Sequence, residues 1–61
     1  MYYVNLYNNN DIVISAPFTN KEEAIKYFNL RVDVANSKYF DKHCDYIELI
    51  NGKTVLFECE V

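Results

Sequence analysis

The chain is short of the residues that interrupt a fold and of those that carry positive charge. Its 61 residues include one glycine, Gly52, one proline, Pro17, and no tryptophan. So few breakers exclude a flexible linker or a low-complexity segment. Arginine occurs once, as Arg31, the lysines are scattered, and the formal net charge is −3. Non-specific binding to nucleic acid requires phosphates to be neutralised by Lys and Arg, so no direct nucleic-acid contact is expected. No apolar run approaches the roughly 20 residues of a membrane-spanning helix. Met1-Tyr2-Tyr3-Val4-Asn5 lacks a basic region followed by an apolar core, so no signal peptide is expected. A cytoplasmic protein without a membrane partner is the resulting expectation. The two cysteines, Cys44 and Cys59, are too few for a secreted disulfide scaffold and are expected as free thiols.

What is present is hydrophobic and aromatic. Hydrophobic residues make up 51% of the chain, with six tyrosines and four phenylalanines, a composition far from that of a disordered chain. The length predicts one domain spanning residues 1–61. A core of that size supplies roughly 3–5 kcal/mol unless a disulfide, a metal or a second copy of the chain adds to it. Asn, Lys, Tyr, Ile and Phe, whose codons are AT-rich, greatly outnumber Ala, Gly, Pro and Arg. That bias suggests an AT-rich genome, a group that includes many phages and mobile elements as well as ordinary bacteria.

The pattern along the chain predicts an α+β fold, β-β-α-β-β, in which a four-stranded antiparallel sheet carries one helix on one face. Strands are expected near 2–7, 11–16, 45–50 and 53–60, from their Tyr, Val, Ile and Phe content. A three-residue loop over Asn8-Asn9-Asn10, with Asn10 left-handed, would gather Val4, Leu6, Ile12 and Ile14 on one side. Pro17 ends the second strand. Thr19 and Glu22 match a capping box, and the helix is expected near 20–36. Ala24, Ile25, Phe28, Val32 and Ala35 form its buried stripe, and Asn36 is a candidate left-handed stop. Tyr39 and Phe40 are expected to cover one end of the core. For the last hairpin, a two-residue loop at Asn51-Gly52 mixes apolar and charged side chains on both faces. An odd loop, Ile50-Asn51-Gly52, places Ile47, Leu49, Val55, Phe57 and Cys59 on one face and Tyr46, Glu48, Leu56, Glu58 and Glu60 on the other, and is preferred. Leu6, Ile14, Phe28, Val32, Leu49 and Phe57 are then the expected core.

With one helix, the second face of the sheet has nothing to cover it. Period-two alternation places Tyr3, Tyr7, Val13, Tyr46 and Leu56 there, with Asp11, Glu48, Glu58 and Glu60 among them. A tyrosine-rich face with acidic surroundings suits contact with a protein partner that carries a basic surface. Its candidate partner-binding residues are Tyr3, Tyr7, Asp11, Tyr46, Glu48, Leu56, Glu58 and Glu60. High β-propensity alone also explains tyrosines in strands. Tyr27, Leu30 and Val34 form a second apolar patch, on the flank of the helix, and the number of uncovered apolar residues favours a homodimer.

Catalytic apparatus is absent from the pattern. Asp41-Lys42-His43-Cys44-Asp45 gathers reactive side chains, but neighbours in an extended segment point apart, so His43 and Cys44 do not form a nucleophile–base pair. His43, Cys44 and Cys59 lack any zinc-ligand spacing. Glu58 and Glu60, about 7 Å apart on one strand face, either mimic successive phosphates or solubilise an edge. There is no phosphate-binding glycine loop and no nucleophile elbow. The expectation is a non-enzymatic binding domain without cofactor or metal, of the kind that inhibits a host defence or nucleic-acid-processing protein. The alternatives are a structural or regulatory subunit of an oligomer and a sheet-face RNA binder whose tyrosines stack on bases.

Overall fold

A computed structural model of the chain describes residues 1–37 and 44–61. The elements run β1 (Tyr2–Asn8), β2 (Asp11–Phe18), α1 (Lys21–Asn36), β3 (Tyr46–Asn51) and β4 (Thr54–Glu60). The strands form one antiparallel sheet in the order β2-β1-β3-β4, with α1 lying over the central pair β1 and β3. This is the expected α+β architecture. The expected cover by Tyr39 and Phe40, and the position of His43, fall outside the described residues.

Both hairpins reach their register in the same way, and it is not by an odd loop. In the first, Asn8 faces Asp11 across a two-residue turn of Asn9 and Asn10, whose φ angles are 52° and 71°. Two positive φ values are what a type I′ turn demands, and asparagine tolerates them better than most residues. Tyr7 then faces Ile12 and Leu6 faces Ile14, which leaves Val13 as an unpaired bulge. In the second hairpin Asn51 faces Thr54, Gly52 takes φ 62° at the first turn position, and Ile50 faces Val55. Leu49 next faces Phe57, so Leu56 is the bulge. Each two-residue turn alone would send the apolar set to the wrong face, and each bulge slips the strand by one residue and restores it.

The odd-loop expectation therefore gives the right face for Ile14, Ile47, Leu49, Phe57 and Cys59, but fails between turn and bulge. Ile12 lies on the face opposite the helix and is 54% exposed. Val55, 48% exposed, lies there too.

Asn20, not Thr19, caps the helix. Its backbone is extended (φ −110°, ψ 125°), and its side-chain oxygen accepts from the amides of Glu22 at 2.8 Å and Glu23 at 3.2 Å. Its carbonyl accepts the first helical bond, from the Ala24 amide at 3.1 Å. Asparagine caps at least as well as threonine, and Glu22 and Glu23 suit the positive end of the helix dipole. At the far end Asn36 is still helical, and Ser37 leaves in an extended conformation with φ −74°. Asn36 is thus not a left-handed stop.

Among the described residues the core consists of Val4, Leu6, Ala24, Phe28, Cys44, Ile47 and Leu49. Tyr2, Ile14, Phe18, Ile25, Tyr27, Val32 and Ala35 pack around it, so the expected helix stripe is the buried one. Phe57 lies at the rim: it is 46% exposed, with its ring 6.0 Å from that of Phe28. Tyr27 leaves the proposed flank patch, since it packs on the core and its ring lies 5.3 Å from Phe18. No disulfide joins Cys44 and Cys59; the first is buried and the second half-buried.

Candidate functional site

The face turned away from α1 follows from the register, and it forms three rows that cross all four strands. In the order β2, β1, β3, β4 the first row is Pro17, Tyr3, Ile50 and Val55. The second is Ser15, Asn5, Glu48 and Glu58. The third is Ile12, Tyr7, Tyr46 and Glu60. Successive rows are about 7 Å apart, two residues of strand rise. The first row is apolar, the second polar, and the third runs from aliphatic Ile12 through two tyrosines to a carboxylate.

The second and third rows are joined by hydrogen bonds. Ser15 Oγ donates to Asn5 Oδ1 at 2.7 Å, and Asn5 Nδ2 donates to Glu48 Oε2 at 3.1 Å. The Tyr7 hydroxyl donates to the same Glu48 oxygen at 2.5 Å. One strand further on, the Tyr46 hydroxyl donates to Glu58 Oε2 at 2.5 Å. Each tyrosine thus reaches diagonally to a carboxylate on the next strand, and the two rings meet at 5.7 Å with a 52° tilt. Asn5 is only 6% exposed although it lies on the face turned away from α1, because its amide is enclosed between these partners. Buried polar groups persist where both ends are satisfied, as they are here.

The charges carried by the four strands have one sign. None of the four strands contains a lysine or an arginine. Glu48 and Glu58 stand directly opposite each other, an arrangement that costs stability between like charges. The tyrosine hydroxyls offset part of that cost by donating to them. The same bonds push the Tyr7 hydroxyl above its ordinary pKa and the Tyr46 hydroxyl up to about 12, because ionisation would break the bond and place a second negative charge beside the carboxylate. Asp45, just before β3, adds a further carboxylate at this end, where its Oδ2 accepts from the Asn9 amide at 3.1 Å.

Of the candidate partner-binding residues, Tyr3, Tyr7, Tyr46, Glu48, Glu58 and Glu60 share this face. Asp11 does not: it faces Asn8, one step beyond Tyr7, and alternation turns it away. Leu56 does not either, because as the bulged residue it packs against the core. Asn5, Ile12, Ser15, Pro17, Ile50 and Val55 were missed. Asn5 and Ile50 had a signal in their parity with Tyr3 and Tyr7, and with Tyr46 and Glu48. Val55 had none, since its side depends on the bulge.

Among the described residues no group of three or more His, Cys, Asp or Glu side chains is placed to hold a metal ion. None of their helices is long and apolar enough to cross a membrane. No family model, curated protein or solved structure matches the chain.

Proposed function

We propose that the chain is a non-enzymatic protein-binding domain that acts by covering a basic surface of a partner protein with the face opposite its helix. The observation that carries this reading is the charge partition: every charged residue in the strands is acidic, and Glu48 and Glu58 are held in place by Tyr7 and Tyr46. Carboxylates fixed before binding lose little entropy on contact, and a field of one sign steers an oppositely charged partner. Tyrosine rings supply contact area at small entropic cost. The finer reading is an inhibitor encoded by a phage or another mobile element that occludes a host defence or nucleic-acid-processing protein, which the acidity and the codon bias support.

The test is affinity capture from the native host followed by binding kinetics. A Glu48→Lys, Glu58→Lys double variant should associate more slowly and with weaker salt dependence. Tyr7→Ala or Tyr46→Ala should weaken binding by roughly 1–2 kcal/mol, mainly through faster dissociation. Unchanged kinetics in both classes would reduce this face to ordinary surface.

A further inference from the structure

The face is polarised along its strands, and that polarity specifies more about a partner than its charge. Pro17, Tyr3, Ile50 and Val55 make an unbroken apolar row over about 14 Å, three strand spacings of about 4.8 Å. Tyr3 is 36% exposed and Val55 48%. One row further on, all the hydrogen bonds that Glu48 and Glu58 receive from described residues arrive at Oε2. Among the described residues none donates to Oε1 of either.

Two other occupants are disfavoured. Addition of a strand at an edge meets the Val13 bulge and Pro17 on β2, and the Leu56 bulge, Glu58 and Glu60 on β4. A second copy stacked on this face would bring Glu48, Glu58 and Glu60 of both chains into one interface, with no strand lysine or arginine to neutralise them.

We infer that the face takes a protein element in which apolar side chains lie beside basic ones. The apolar side chains seat on Pro17, Tyr3, Ile50 and Val55, and Lys or Arg side chains about 7 Å away reach Glu48 and Glu58. This rests on the proposed function and adds the orientation of the partner: its basic side faces the Tyr7–Tyr46 end.

The probe is an amphipathic helical peptide of leucine and lysine, long enough to span four strands, titrated into the isotope-labelled full chain by NMR. An alanine–lysine peptide of equal charge is the control. The leucine–lysine peptide should shift the amides of Tyr3, Ile50 and Val55 together with those of Glu48 and Glu58. It should bind about tenfold more tightly than the control. A Tyr3→Ser, Val55→Ser variant, checked for folding by circular dichroism, should lose that advantage while keeping its salt dependence. A Glu48→Gln, Glu58→Gln variant should bind both peptides more weakly with a flatter salt dependence. If both peptides bind alike and Tyr3→Ser, Val55→Ser changes nothing, the apolar row is not part of the site and only the acidic reading survives. Shifts confined to α1, or none on this face with either peptide, would overturn the inference and remove the support for the proposed function as well. Sedimentation of the free chain as a dimer that buries Ile50 and Val55 would overturn the inference alone.

Discussion

The hairpins β1–β2 and β3–β4 each turn through two residues, pair twice and then bulge, at Val13 in one and at Leu56 in the other. They differ in what the construction carries. The first contributes neutral side chains to the outer face: Pro17, Tyr3, Ser15, Asn5, Ile12 and Tyr7. The second contributes Glu48, Glu58 and Glu60. Their bulges differ as well, since Val13 is exposed whereas Leu56 packs on the core. One backbone device thus serves in both hairpins to set the register, while in the second it also adds packing. The two are joined through β1 against β3 and through the helix over both.

The strongest way to break the comparison is to remove what the hairpins share. Phe28 sits over the central strands and meets Phe57 of the second hairpin. Phe28→Ala should cost roughly 3–5 kcal/mol, a large share of the stability of so small a domain. Hydrogen exchange should show protection falling in β1–β2 and β3–β4 together. If one hairpin keeps its protection, the two are separate cooperative units and the shared core is not what couples them.

The bulges can be tested by deletion. Without Val13, Tyr7 still faces Ile12 and Leu6 still faces Ile14, in a regular ladder. Stability should change by less than about 1 kcal/mol. Deleting Leu56 also regularises its ladder but removes a half-buried leucine, which should cost about 1–2 kcal/mol. Equal effects in urea denaturation would show that Leu56 does no more than Val13. The turns offer a comparison of similar size. Gly52 has a φ of 62° and no heavy atom within 4 Å of an added Cβ, so Gly52→Ala meets only a conformational penalty. That penalty is about 1–2 kcal/mol. The first turn has positive φ at both Asn9 and Asn10, whereas the second has it at Gly52 but not at Lys53, the pattern with glycine at the first turn position. A urea midpoint unmoved by Gly52→Ala would contradict this account of the turns.

Strands, helix and face parity were legible because each rests on a local pattern repeated over several residues. Val4 and Leu6, or Ile47 and Leu49, alternate with polar or aromatic neighbours, and Ala24 and Phe28 recur at helical spacing. The bulges were not legible, because an odd loop and a two-residue turn with a later bulge give the same parity beyond the bulge. They differ only between turn and bulge, where Asp11, Ile12, Val55 and Leu56 change sides, and two assignments to the partner-binding face, Asp11 and Leu56, failed there. The choice of Asn20 over Thr19 as cap was hidden by two adjacent residues of similar capping strength. The hydrogen-bonded row from Ser15 to Glu48 depends on β1 lying between β2 and β3, an order that the chain pattern does not specify.

The smallest effect separates the hairpins by titration. Tyr46 belongs to the second hairpin and donates to Glu58 within it, whereas Tyr7 belongs to the first and donates across to Glu48. Both hydroxyls have raised pKa values in the folded chain, that of Tyr46 up to about 12 from an ordinary 10. A raised value means that the folded state holds the proton more tightly than the unfolded state. The resulting stabilisation is fully present below pH 10 and fades as the pH rises from 10 towards about 12. Tyrosinate absorbance should therefore show Tyr46 ionising late. Glu58→Gln keeps an acceptor but removes the charge, so Tyr46 should then titrate closer to its ordinary value, with Tyr7 unmoved. Glu48→Gln should lower Tyr7 instead. If the curves of wild type and Glu58→Gln superimpose, the Tyr46–Glu58 bond does not hold in solution. The carboxylate on the outer edge of the face is then not fixed before a partner arrives.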